Sequence, residues 1–409
     1  MPYDLVFHGA TVIDPSQDLN AVRDVAVQGD RIAAVAESID EPAIERVDLR
    51  GKILTPGWVD IHTHLYAGST TWGIQADAIC LSTGVTTVVD AGSPGWANFL
   101  GFKENIVDPA RTQILAFVHI SGIGLTYGPL GEMEDIRYAD PERTAYVVHN
   151  WSDICVGIKV RQGGMQVGDN GVEPLRRAVQ AAEWAGKPIM AHIAVGVPLP
   201  EILALMRPAD IVTHCYQGTG DSVVDNDGRV LPEVREARQR GIYFDVGHGG
   251  GSFSYGIAKQ ALADNFVSDV ISTDLHAMSL DDPVESLPET ASKLLNLGVP
   301  LEDVIRQTTA APATAIGRSD QLGTLRSGTV ADLAAFELQE GTFDFFDVND
   351  RREVGSQKLQ PALTVRAGKI YRPADLAAEL EETRRRAAQI KALTNKDFAF
   401  LGWKPGDQQ

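Results

Sequence analysis

Eight short apolar runs rich in β-branched residues, separated by helix-like stretches, constrain this chain more than any other feature. From Trp58 onward they read WVDIHTH, TTVVDAG, QILAFVHIS, VGIKVR, PIMAHI, DIVTHC, IYFDVGHG and VISTDLH. Strands that are apolar on both faces belong to parallel sheets covered by helices on each side. Between the runs lie segments such as GVEPLRRAVQAAEWAG at 171–186 and PEVREARQRG at 232–241, bounded by Gly or Pro as helices are. The alternation predicts an α/β fold, a (β/α)8 TIM-type barrel. A doubly wound sheet is the competitor, but it usually has fewer strands.

The flanks read differently. Residues 3–54 are short strands broken by Gly or Asp at turns, and GTLRSGTVADLAAFEL and PALTVRAGKIYR return to that rhythm near the C-terminus. The expected organisation is a small β-sandwich domain from residues 1–56 and 322–373, a barrel over 57–321, and a C-terminal helix and tail over 374–409. LEDVIRQTTAAPATAIG, just before the return, reads as one helix. In the tail, Leu376, Leu380, Ala387, Ile390 and Leu393 share one helical face, which packs on the barrel or on another subunit, leaving a homo-oligomer open.

Composition removes several functions. The 409 residues carry 36 Lys and Arg against 55 Asp and Glu, and the formal charge of -19 repels nucleic-acid phosphates and anionic lipid. Three cysteines, Cys80, Cys155 and Cys215, make no disulfide framework and fit a reducing compartment. Asp4, His8 and Asp14 interrupt the start where a signal peptide needs an apolar stretch, and no run reaches the roughly 18 apolar residues of a membrane span, so the expected compartment is the cytoplasm.

Chemistry in a barrel of this kind sits at the C-terminal ends of the strands. Here the first run ends in His62-Thr63-His64, the fourth holds Lys159, the fifth ends at His192, the sixth at His214, and the eighth holds Asp274. Side chains two apart on a strand face one way, so His62 and His64 can share an ion. His192 and His214 arrive at matching positions on neighbouring strands, and Asp274 adds a hard anionic oxygen. His8, His119 and His149, outside this pattern, are expected to be structural. Lys159 is unusual, because a cation among metal ions raises the energy of the site. It is a base of depressed pKa, a carbamate formed with carbon dioxide, or a lysine reaching solvent.

PGWVDIHTH at 56–64, GIKVR with Lys159, AHI with His192, THC with His214 and STDLH with Asp274 together resemble the amidohydrolase superfamily, specifically its binuclear members with a carbamylated lysine. The likeness covers almost the whole chain and is strongest to the amidohydrolase/deacetylase metallohydrolases, often labelled dihydroorotase-like. It implies one divalent ion on His62, His64 and Asp274, a second on His192 and His214, and a carbamate on Lys159 bridging both. Zinc suits such imidazole-rich sites, although manganese, iron or cobalt fits the same ligands. Dihydroorotases generally follow HxH with an Arg that holds the substrate carboxylate. Here Leu65 and Tyr66 follow instead.

The resemblance further implies a hydrolase in which the ions activate water and polarise the carbonyl, with Asp274 as general base and then general acid. The expected substrate is a small anionic acyl compound, an N-acyl or O-acyl derivative of an α-substituted carboxylic acid. Arg161, Tyr127, His248 and His276 are the candidate substrate contacts. The glycines of GHGGG lack the context of a phosphate loop. The alternatives are a cyclic amide hydrolase of the dihydroorotase or hydantoinase kind, and a non-catalytic barrel scaffold.

Overall fold

The computed structural model describes residues 2–395. Strands β1 (Tyr3–Asp14), β2 (Leu19–Gln28), β3 (Arg31–Ala36), β4 (Ala43–Asp48) and β5 (Ile53–Pro56) form the N-terminal β unit. The parallel sheet follows as β6 (Trp58–Thr63), β7 (Val85–Gly95), β8 (Gln113–His119), β9 (Cys155–Gln162), β10 (Ile189–Ile193), β11 (Ile211–Thr213) and β12 (Tyr243–Asp245). The chain then returns through β13 (Leu333–Phe346), β14 (Arg352–Arg366) and β15 (Lys369–Tyr371).

Strands from the two ends of the chain share one sheet. Its path runs β15-β14-β13-β5-β1-β2-β3, with β4 also on β1. One edge of β1 serves two partners, pairing β4 from Tyr3 to His8 and β5 at Thr11 and Val12. The change falls at a register shift between Phe7 and Ala10, where Gly9 has a φ of 72°. That left-handed backbone favours glycine, and a Cβ there would lie 2.5 Å from Arg50 Cγ.

Among the described residues the parallel sheet holds seven strands in sequential order, not eight. The eighth run makes single parallel bridges to both edges, Asp245 with Val270 and Thr63 with Leu275. Val246 N donates to Val270 O at 3.1 Å, Asp274 N to His62 O at 2.7 Å, and His64 N to Leu275 O at 2.9 Å. The ladder breaks because Asp274 sits at a φ of 48°, outside extended backbone. Val59, Ile61, Val89, Leu115, Phe117, Val156, Met190, Ile211 and Val270, drawn from six strands and the eighth run, meet in one buried apolar cluster, as expected on the concave side of a curled sheet.

Helices form close to where they are predicted. One spans Glu173–Ala185, with Pro174 in its first turn and Gly186 left-handed behind it, and another spans Pro232–Gln239. The segment after the eighth run is two helices, Leu301–Thr308 and Ala310–Ala315, rather than one. Pro312 has no N–H to give Thr308 and its ring crowds that carbonyl, so the backbone breaks at Thr309. The terminal helix Ala377–Asn395 lies on the parallel-sheet unit, pairing Glu379 with Arg111 and Arg384 with Asp281. Leu376 and Ala387 are buried and Leu393 is exposed. The rest of the predicted tail lies outside the described residues. Among the described residues, no helix is long and apolar enough to cross a membrane.

Candidate active site

The strand-end residues converge. His62, His64 and Asp274 each offer a ligand atom, all within 4.8 Å of one another. His62 Nε2 lies 3.4 Å and His64 Nε2 3.1 Å from Asp274 Oδ1. The ring centre of His214 is 5.0 Å from that of His62 and 4.4 Å from that of His192. Lys159 Nζ, fully buried, lies 3.2 Å from His62 Nε2. The structure therefore brings the six side chains close together.

Hydrogen bonds aim these groups. The single proton of Thr213 Oγ1 goes to Asp245 Oδ2 at 2.7 Å, so the hydroxyl accepts from His62 Nδ1 at 2.8 Å. That fixes the tautomer and leaves the Nε2 lone pair facing inward. His214 Nδ1 donates to Gly247 O at 2.7 Å, which leaves its Nε2 bare. His64 Nδ1 meets Ser93 Oγ at 3.0 Å, and Asp90 holds Ser93 N at 2.6 Å.

The chemistry suits a cation. Burial first, then neighbouring positive charge, holds His62, His64 and His192 well below the ordinary imidazole range. Burial likewise pushes His214 down to about 4. Neutral imidazoles present lone pairs. His214 Nε2 and Asp274 Oδ1 are buried with no hydrogen-bond partner among the described residues. Bare acceptors out of water cost free energy unless something positive meets them, so the donor set fits divalent ions. Burial also lowers the Lys159 ammonium, to about 7.

The polar residues behind these side chains, Thr213, Asp245, Ser93 and Asp90, escape the sequence reading, although Asp245 stands at the end of β12. So does Trp72. Its ring stacks on His276 at 5.4 Å and 25°, lies 5.7 Å from His64, and carries the Arg161 guanidinium 4.8 Å above it. Glu132 is the other omission. Its Oε2 accepts from Arg161 Nη1 at 3.2 Å, and its Oε1 lies 3.2 Å from His119 Nε2. Burial works against the Glu132 carboxylate, but Arg161 and His119 hold it below its ordinary value.

The four candidate substrate contacts separate. Arg161 and His276 lie beside the ligand cluster; Met278 N donates to His276 Nδ1 at 3.1 Å, which puts the ring proton on Nε2. Tyr127 is 49% exposed, on the loop after β8. His248 is fully buried with both nitrogens engaged, Nδ1 by Gly249 O at 3.0 Å and Nε2 by Lys293 Nζ at 2.9 Å. His8 pairs with Asp24 in the other sheet and His149 is exposed.

Residues 254–370 match the amidohydrolase family. A deacetylase of Agrobacterium fabrum is 37% identical over 80% of this chain and 81% of its own length. The crystal structure of an adenine deaminase superposes with a TM-score of 0.85 at 31% identity, covering 90% of this chain and all of that one. A dihydroorotase structure gives 0.84 at 34% identity, covering 90% of this chain and 98% of that one.

Proposed function

The chain belongs to the amidohydrolase superfamily and is a hydrolytic enzyme acting on amide bonds, and from that premise we propose that it removes an acyl group, such as acetyl, from the nitrogen or oxygen of a small α-substituted carboxylic acid. On this reading the curled sheet is a (β/α)8 barrel, and the unit built from the chain ends is a β-sandwich.

The observation that carries the reading is the position of Arg161. Its charge reaches His64, Lys159, His192, His214 and His276, contributing to the lowered pKa of each. Glu132 takes one N–H, and the Gln166 amide, turned to satisfy both its neighbours, accepts another at 2.9 Å. The guanidinium has five N–H groups, so a substrate carboxylate can take others. Trp72 beneath it holds the plane in place. At the position after HxH, Leu65 is buried and gives its backbone N–H to Asp90, so no cation stands there. This favours an acyclic acid held at Arg161 over a cyclic ureide.

His62, His64 and Asp274 would hold one ion, His192 and His214 a second, and carbamylated Lys159 both, with zinc as the ion of choice for such ligands. Ions held there supply Lewis-acid polarisation of a carbonyl and make water more acidic. The depressed pKa of Lys159 supports carbamylation, because the neutral amine is the form that adds to carbon dioxide, forming an N–C bond and releasing a proton. Asp274 takes the proton of the attacking water and returns it to the leaving nitrogen or oxygen.

The test is a panel of N-acetyl amino acids of both hands and O-acetyl hydroxy acids, run beside dihydroorotate and hydantoins. Turnover of the acetylated acids is expected. Turnover of the cyclic amides alone would replace this reading with a cyclic amide hydrolase, and a metal-free protein inert on both sets would return the scaffold.

A further inference from the structure

The glycine-rich run after β12 is held from outside the site. Lys293, on the helix Leu287–Asn296, has no exposed side-chain surface. Its Nζ donates to His248 Nε2 at 2.9 Å, to Phe346 O at 2.8 Å and to Pro283 O at 3.1 Å, with Glu289 Oε1 also 3.1 Å away. An ammonium has three protons, and here they go to three different segments: the glycine-rich loop, the loop beyond the eighth run, and the end of β13. His248 is locked in turn, its Nδ1 on Gly249 O and its ring stacked on Phe253 at 4.6 Å and 17°.

The residues on either side of His248 touch the site. Gly247 O accepts the proton of His214 Nδ1. Gly249 N donates to Thr273 O at 2.8 Å, and a Cβ on Gly249 would lie 2.3 Å from Asp274 Oδ2. Both glycines are left-handed, at φ 47° and 52°. The loop backbone therefore abuts two of the six converging side chains, and its centre is pinned by a buried cation.

We infer that Lys293 and His248 are positioning residues: the Lys293 ammonium fixes His248, and the backbone flanking His248 orients His214 and Asp274. The inference rests on the reading that those two side chains belong to the metal-binding set. It assigns His248 no contact with substrate.

The test uses the full-length zinc-loaded protein. Lys293→Met and His248→Asn are each expected to weaken zinc retention against a competing chelator by about tenfold or more, the scale typical of residues that orient ligands. On an N-acetyl amino acid from the panel, kcat falls with KM held within about twofold. The double variant loses no more than the single ones, because the two act as one unit. A folded Lys293→Met protein that retains zinc and turns over like the wild type overturns the inference. So does a His248→Asn protein that raises KM alone, which would make His248 a substrate contact. If Lys293→Met gives no folded protein, His248→Asn decides by the same two readouts. If nothing in the panel is hydrolysed, zinc retention still answers, and that failure falls on the substrate reading.

Discussion

Thr213→Val isolates one atom of the site. Valine keeps the β-branched shape that β11 needs and puts a methyl in place of the hydroxyl between His62 Nδ1, at 2.8 Å, and Asp245 Oδ2, at 2.7 Å. The buried His62 N–H then loses its hydrogen-bond acceptor. Asp245 keeps Ser272 Oγ at 2.8 Å, so its loss is partial. With an orphaned buried group costing about 1–3 kcal/mol, the variant should be destabilised by roughly 2–4 kcal/mol. Only Asp245 Oδ2, 3.7 Å from Nδ1 and beyond hydrogen-bond reach, then favours the tautomer with a bare Nε2, so zinc affinity should fall by about 10- to 100-fold, or roughly 1.4–2.7 kcal/mol. Thr213→Ser keeps the hydroxyl and gives up only the methyl, so it shows what a packing change alone does at this position. Chelator competition for zinc and thermal unfolding measure both effects. A Thr213→Val protein with zinc affinity and melting temperature equal to those of Thr213→Ser would refute the relay.

Three further outcomes are expected. Asp274→Asn keeps the shape but cannot take a proton, so kcat should fall by about 10²–10⁴-fold while the protein stays folded; near-normal turnover would place the general base elsewhere. Arg161→Met should raise KM for acetylated acids about tenfold or more with a smaller change in kcat, and an unchanged KM would move the carboxylate away from Arg161. Asp77 links the helix Ala76–Leu81 to the start of β8: burial opposes its charge, but the amides of Thr112 and Arg111 and the Arg111 side chain win, holding it below its ordinary value. The unfolded chain then binds the extra proton as pH falls, so this carboxylate stabilises the fold above pH about 4 and less below it. The melting temperature of Asp77→Asn should therefore drop less steeply than the wild type's between pH 5 and 3, and equal slopes would remove Asp77 from the acid limb.

The residues that the sequence reveals are those whose position follows from the strand period. His62 and His64 are two apart on one strand, and His192 and His214 close matching apolar runs, so alternation alone puts them together. Trp72 and Glu132 lie in connections, where no period relates them to a strand end; only the stack on His276 and the pair with Arg161 show what they do. Thr213 and Asp245 stand on strands, yet a hydroxyl or carboxyl in an apolar run has no legible partner until the neighbouring strands are placed. His248 misleads for the converse reason. It follows a strand as a substrate contact would, but the side chain that claims it is more than 40 residues away. The eighth run reads as a full strand because its apolar pattern is intact, and the left-handed turn at Asp274 that limits it to two bridges has no signature in that pattern.

That thin eighth segment has a mechanical consequence. It is joined to β6 and β12 by far fewer hydrogen bonds than the ladders elsewhere in the sheet, and it is the seam where the curl closes. His62 and His64 stand on one lip of the seam and Asp274 on the other. An ion held by all three, as proposed above, would act as a clasp, so that loading the site and keeping the sheet shut would be a single equilibrium. Stripping the ions should let the protein breathe first along this line, with exchange of the Asp274 and His64 amides quickening before those of β8 or β9.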